Sequence, residues 1–256
     1  MNFDKSIDSS NMFESIYKFS SQMKQAKLIG ERIILKNSYK DVQNIVLCGM
    51  GGSAIGGDLS KSLVKSSLNM PMFVNRNYSL PNWVNSNSLV IASSYSGNTE
   101  ESLAAYHEAI SKGATVIGIT TGGKLASLLD DNNNDKVLIP AGLQPRAAVA
   151  FSFIPLLYLL EKLKATNDKV LSELDVAIEK IQSIKDVYGL DDEKNPTYKL
   201  AKDIYKTIPV IYGENESTAT IALRWKGQFC ENSKMLAYHN DLPEMNHNEI
   251  VGWQEN

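Results

Sequence analysis

Cysteine is scarce. Cys48 and Cys230 are the only two in 256 residues, too few to staple a small secreted scaffold and too far apart for a zinc or redox spacing. Both read as reduced, buried thiols. No apolar run approaches the roughly 18 residues that cross a bilayer. The opening Met1-Asn2-Phe3-Asp4-Lys5-Ser6 lacks the basic region and apolar core of a signal peptide. The expected compartment is the cytoplasm, with no membrane partner. Excess positive charge is missing too: 26 Lys+Arg stand against 29 Asp+Glu, a net charge of -3. No basic footprint for nucleic acid exists, so DNA or RNA binding is not expected as the main task. What remains, 43% hydrophobic and 21% charged residues, is an ordinary globular composition with enough chain for a real core.

Residues 11–36 place Phe13, Ile16, Tyr17 and Met23 near helical spacing, with a second apolar cluster at Ile33, Ile34 and Leu35. These predict leading helices. Five short, mostly β-branched runs follow: 45–48, 72–74, 89–92, 115–119 and 137–139. Helix-like spans at 58–64, 100–112 and 124–129 separate several of them, and this alternation predicts a parallel sheet covered on both faces. After Pro140 come two long helical patterns, 147–164 and 167–187, and then an acidic, turn-rich boundary at 189–196. A strand at 208–212 and a helix at 217–235 restart the pattern, and no convincing strand series follows Met235. The division predicted is 1–165 for a first α/β domain with its leading helices, 166–196 for a helical connector, and 197–256 for the start of a second, incomplete α/β domain.

Gly49-Met50-Gly51-Gly52-Ser53-Ala54-Ile55-Gly56-Gly57 follows the first strand and enters a helix. Such glycines let backbone N–H groups and a helix N-terminus approach an anion. Gly49, Gly51 and Ala54 satisfy the dinucleotide pattern G-x-G-x-x-A, but the acidic residue expected about 20 positions on is missing. From Leu59 to Thr99 the chain has no Asp or Glu at all, while it carries Lys61, Lys65 and Arg76. That disfavours NAD, leaves NADP only through Arg76, and favours an anionic ligand. At the end of this stretch lies Ser93-Ser94-Tyr95-Ser96-Gly97-Asn98-Thr99-Glu100-Glu101. Ser94, Ser96 and Thr99 crowd three hydroxyls into a turn before a helix, a phosphate cradle that needs no lysine. A plain helix cap at Thr99 would use the same residues. Both loops leave the carboxyl ends of strands, where ligands bind in open α/β sheets.

The segment Ser94-x-Ser96-Gly97-x-Thr99-Glu100 resembles the sugar isomerase (SIS) domain signature. With 49–57, Gln144-Pro145-Arg146-Ala147-Ala148 and the block 224–252, the chain is similar to the bifunctional phosphoglucose/phosphomannose isomerase family over most of 40–252. The resemblance implies an SIS-type, flavodoxin-like sandwich without nucleotide. It implies a phosphosugar held by Gly52, Ser53, Ser94, Ser96 and Thr99, and aldose-ketose isomerisation of glucose 6-phosphate and mannose 6-phosphate with fructose 6-phosphate, a step of glycolysis and gluconeogenesis. No cofactor and no metal are expected.

That chemistry needs one base between C1 and C2 and a second acid-base group at the ring oxygen. Glu214, Glu216, Glu231, His239, Glu244, His247 and Glu249 all qualify by type, and composition does not choose among them. Glu231 could equally pair with Lys234, a loop histidine is usually solvated, and His107 reads as structural. The resemblance assigns the C1/C2 base to Glu231, ring opening to His247 and steadying of the enediolate to Arg146. It also implies a homodimer in which His247 reaches the neighbouring subunit's site. Family members usually continue beyond the point matching Asn256, completing the second SIS unit and supplying a further active-site lysine. Cys230, beside Glu231, reads as packing. Two other readings stay open at this point: a non-catalytic phosphosugar-binding module and an NADP oxidoreductase.

Overall fold

The computed structural model describes residues 6–167, 169–189 and 193–254. The first five residues, part of the expected 189–196 boundary and Asp168 in the expected 167–187 helix lie outside the described residues. The chain divides into two compact units, Ser6–Ser183 and Ile184 onward.

The first unit opens with α1 (Met12–Tyr17) and α2 (Phe19–Glu31) and continues as β1 (Asn44–Cys48), α3 (Gly51–Val64), β2 (Met72–Asn75), β3 (Ser88–Ser94), α4 (Glu100–Ser111), β4 (Thr115–Thr120), α5 (Gly123–Asp131) and β5 (Asp135–Leu138). A 3-10 turn at Pro145–Ala147 precedes α6 (Val149–Lys162), followed by α7 (Lys169–Ser172) and α8 (Leu174–Gly189), which runs into the second unit. The five strands form one parallel sheet in the order β2-β1-β3-β4-β5.

The two-residue period of a strand sorts the core. Ile45, Leu47, Leu89, Ile91, Ile117 and Ile119 join residues of α2, α3 and α6 on one face. Val46, Cys48, Val90, Ala92 and Val116 join α4 and α5 on the other. Apolar runs buried on both sides are what a doubly covered parallel sheet requires.

Differences from the sequence reading are local. Ile33, Ile34 and Leu35 are not helical: α2 ends at Glu31, and Ile33 and Leu35 pack on the core while Ile34 is 81% exposed. That alternation belongs to extended chain, not to a helix. The 167–187 pattern breaks into α7 and α8, though Leu174 and Ile178 keep their predicted buried face. Of the glycines at 49–57, Gly56 and Gly57 lie inside α3 as packing residues. A Cβ on Gly56 would stand 2.5 Å from the Ser152 Cβ and 2.8 Å from its carbonyl carbon, because α3 and α6 touch there. Gly56→Ala is therefore expected to cost about 2 kcal/mol through overpacking, read as a lower midpoint in denaturant unfolding.

Asp135 pins the segment before β1 to β5. Buried at 5% exposure, its carboxylate accepts from the Lys36 amide at 3.0 Å, the Asn37 amide at 3.0 Å and the Tyr39 hydroxyl at 2.7 Å. Burial pushes this carboxyl up, but the Tyr39 hydroxyl and the two amides outweigh it and hold the group below the usual aspartate range. Asp135→Ala strands three donors and is expected to cost about 3 kcal/mol. Because the folded-state value is depressed, this stabilisation is present above the unfolded aspartate value near pH 4 and is lost as pH falls through the lower folded value. The wild-type melting temperature should fall over that acidic window more steeply than that of Asp135→Asn.

The second unit holds the last residues of α8, then α9 (Pro196–Ile204), β6 (Val210–Glu214), α10 (Ala219–Gln228), β7 (Tyr238–Leu242) and α11 (Glu249–Gly252). Asn195 caps α9, its side chain accepting from the Thr197 amide at 2.8 Å. β6 and β7 pair in parallel, with α10 crossing between them. The strand β7, not expected after Met235, consists of Tyr238-His239-Asn240-Asp241-Leu242 and is held by backbone pairing, without the β-branched residues that mark strands. The helix expected to reach Met235 ends at Gln228 and widens into a π-helical turn over Phe229–Ser233.

Candidate active site

The strand order of the first unit runs outward from β1 to β2 on one side and from β3 to β5 on the other, so β1 and β3 meet at the switch point of the sheet, where ligands bind in open α/β folds. The loops leaving these two strands carry the glycines at 49–52 and the hydroxyls at 94–99.

The first loop turns directly into α3. The Gly49 amide donates to the Asn75 carbonyl at 3.1 Å, and the Ser53 and Ala54 amides donate to the Met50 carbonyl at 3.1 and 3.4 Å. Gly51 starts the helix at φ +49, a left-handed conformation that suits glycine. The Gly51 and Gly52 amides precede the helical ladder and have no acceptor within it. The first turn of α3 carries no acidic side chain, so none of its own first residues offsets the positive end of the helix dipole. A Cβ on Gly52 would stand 2.9 Å from the Pro145 carbonyl oxygen. The 3-10 turn bearing Arg146 therefore lies against the start of α3.

The second loop is a tight hydroxyl turn. The Gly97 amide donates to the Ser94 carbonyl and to Ser94 Oγ, both at 3.1 Å. Ser94 Oγ and Thr99 Oγ1 share a hydrogen bond of 2.9 Å, and Ser96 Oγ accepts from the Asn98 amide at 3.2 Å. Thr99 occupies the N-cap position of α4 without making a side-chain cap bond, its hydroxyl turned instead to Ser94. Gly97, at φ +70, carries no Cβ where one would fall 1.8 Å from the Gly122 carbonyl oxygen. The loop is buttressed from the next connection, with the Leu125 amide on the Gly97 carbonyl at 2.9 Å and the Lys124 amide on Asn98 Oδ1 at 3.1 Å.

Gly52, Ser53, Ser94, Ser96, Thr99 and Arg146 thus gather at one end of the sheet. Arg76, read in sequence as an uncompensated cation, is ion-paired to Asp58 of α3, which lies one residue before the acid-free stretch and so escaped a count that began at Leu59. The arginine that kept a 2′-phosphate in play is already engaged. At the end of β2 the Asn75 side chain donates to the Ser79 carbonyl at 3.0 Å, so no carboxylate stands where a dinucleotide ribose would need one. Cys48 is buried, its thiol pushed up to about 12 by desolvation. Cys230 is only half-buried, contrary to expectation.

Glu231 and His247 belong to the second unit, on separate turns. Glu231 sits on the π-helical turn after α10 and is exposed, and π-turns recur at functional sites. Lys234 donates to the main-chain carbonyl of Glu231 at 2.6 Å. The half-buried Arg224 guanidinium feels the Glu231 charge, which opposes the downward push of its burial. His247 closes the 3-10 turn Glu244–His247 and is exposed. His239 lies in β7 rather than a loop.

Glu249 is a structural anchor: it accepts from the Tyr212 hydroxyl and, at 2.5 Å, from Asn240 Nδ2. Those two bonds, Tyr212 first, hold its carboxyl below the usual glutamate range. Among the described residues no group of His, Cys, Asp and Glu is arranged to hold a metal ion, and no helix is long and apolar enough to cross a membrane.

Known proteins resemble this chain in sequence and in fold. The SIS domain family model matches residues 38–152, and the model of the bacterial phospho-glucose isomerase C-terminal SIS domain matches residues 193–256. A bifunctional phosphoglucose/phosphomannose isomerase of Caldicellulosiruptor bescii is 46% identical over 243 residues, covering 94% of this chain and 71% of the relative. The enzyme of the same name from Aquifex aeolicus is 42% identical over 212 residues, covering 82% of this chain and 62% of the relative. Among solved structures, the C-terminal domain of glucosamine-fructose-6-phosphate aminotransferase from Francisella tularensis superposes with a TM-score of 0.73 at 18% identity, covering 94% of this chain and 72% of that one. At that identity the likeness concerns the fold.

Proposed function

Because the chain belongs to the bifunctional phosphoglucose/phosphomannose isomerase family, we propose that it interconverts glucose 6-phosphate and mannose 6-phosphate with fructose 6-phosphate. The observation that carries this reading is the cradle of hydroxyls and helix-start amides at the β1/β3 switch point, which suits a phosphate monoester and lacks the acidic residue of a dinucleotide site.

The phosphate is anchored by Gly52, Ser53, Ser94, Ser96 and Thr99. His247 moves the proton at the ring oxygen that opens the pyranose or furanose. Glu231 then takes the proton from C2 of the open aldose; O1 gains a proton as O2 gives one up, and the carbon-bound proton is returned to C1. The charge that develops on the enediolate is met by the Arg146 guanidinium. Glucose and mannose 6-phosphates differ only at C2 and share one enediol, so rotation about C2–C3 lets both pass through the same site. Written this way the reaction balances with neither nucleotide nor metal.

In this proposal residues 1–165 form the phosphate-binding domain, 166–196 the connector, and 197–256 bring the acid-base groups. The working molecule is a cytoplasmic homodimer in carbohydrate metabolism, with His247 contributed across the interface. Incubation with fructose 6-phosphate, followed by phosphorus NMR, tests the reading. Glucose 6-phosphate and mannose 6-phosphate are both expected. Saturable binding of the 6-phosphate with neither product would instead mark a binding module without turnover.

A further inference from the structure

Tyr95 lies between two cradle serines, and its phenol reaches away from them. The ring is partly buried against the core beneath α3 and α6. Its hydroxyl donates to the Pro140 carbonyl at 2.8 Å and accepts from the Leu143 amide at 3.1 Å, so one oxygen closes the 140–143 turn. Gly142, at φ +99, lets the backbone fold tightly around it. One residue on, Gln144 starts the 3-10 turn that carries Arg146, with the Ala147 amide on the Gln144 carbonyl at 2.8 Å. The main chain of Tyr95 is itself fixed, its carbonyl accepting from the Thr121 amide at 3.1 Å. Burial holds the phenol above its ordinary range while the Leu143 amide opposes that shift, so the hydroxyl stays a donor at neutral pH.

We propose that Tyr95 is a positioning residue that latches the Arg146-bearing segment to the phosphate cradle, fixing the guanidinium relative to the anchored phosphate. The role rests on the isomerase reading given above. A phosphate held at one end of a short sugar sets where C1 and C2 fall, so the group that meets the enediolate must keep a fixed distance from the cradle. A single side chain rooted in the cradle loop and bonded to the arginine loop supplies that coupling. Misplacement by about 1 Å costs on the order of 100-fold in rate.

Tyr95→Phe removes the oxygen and keeps the ring, and a double-mutant cycle with Arg146→Ala isolates the coupling. The single variant is expected to lower kcat about 10- to 100-fold while the Kd for inorganic phosphate changes by less than about twofold. In the Arg146→Ala background the same substitution should change kcat by less than about twofold. Equal losses in both backgrounds, or a loss carried by phosphate affinity alone, would overturn the latch. Amide hydrogen exchange over 141–147 gives a readout independent of turnover. Faster exchange there in Tyr95→Phe supports the latch, and unchanged protection overturns it. A wild-type chain that exchanges no substrate hydrogen defeats the isomerase reading instead, and the latch is then decided by amide exchange alone.

Discussion

Glu231→Gln is expected to lower hydrogen exchange at C1 of fructose 6-phosphate, and at C2 of the aldose 6-phosphates, by about 10²- to 10⁴-fold, the contribution of a positioned general base. Affinity for the sugar phosphate should stay within about twofold, because the phosphate is anchored by residues that the substitution does not touch. The amide keeps the size of the side chain and loses only its ability to take a proton. Glu231 is exposed on its π-turn and its charge reaches the half-buried Arg224, so the melting temperature of the variant is read alongside the exchange rate. A Glu231→Gln protein with near-normal exchange would remove this residue as the base and turn attention to Glu214, Glu216 or Glu244.

The second large effect concerns binding. Replacing Ser94, Ser96 and Thr99 together by Ala is expected to weaken fructose 6-phosphate and inorganic phosphate alike by about 100- to 1000-fold, roughly 3 to 4 kcal/mol. Each hydroxyl would otherwise give a charge-assisted bond worth about 1.5–3 kcal/mol, and contributions from one anion's ligands do not add fully. Some stability is lost as well, since Ser94 Oγ accepts from the Gly97 amide and pairs with Thr99. Titration calorimetry below the melting temperature of the variant separates the two effects. Unchanged phosphate affinity in the folded triple variant would make Thr99 and its neighbours a helix start and nothing more.

These expectations reach as far as they do because the first unit writes its fold plainly. Strands β1, β3 and β4 are short, largely apolar runs buried on both faces, the pattern of a doubly covered parallel sheet. The same locality exposed the two loops, since glycines and hydroxyls at strand ends have few other uses in such number. Legibility failed where a role depends on a partner distant in sequence. Arg76 looked unbalanced because Asp58 stands 18 positions earlier, and Gly56 looked like phosphate-loop glycine because Ser152 of α6 cannot be seen from β1. Tyr95 was hidden inside the motif itself, an unspecified position between two serines whose hydroxyl serves residues 140 and 143. β7 is polar and pairs through its backbone, so no side-chain pattern announced it. The base and the ring-opening histidine were never separable by composition; family resemblance chose Glu231 and His247 from a set in which Glu249 proves to be tied to Tyr212 and Asn240.

The most direct test of the central claim is to incubate the protein with fructose 6-phosphate in D2O and follow the hydrogens at C1 and C2 by NMR. Proton transfer through an enediol predicts deuterium at C1 of fructose 6-phosphate and at C2 of the glucose 6-phosphate and mannose 6-phosphate that accumulate alongside. A protein that raises its melting temperature with fructose 6-phosphate yet leaves C1 and C2 unlabelled would contradict the isomerase account.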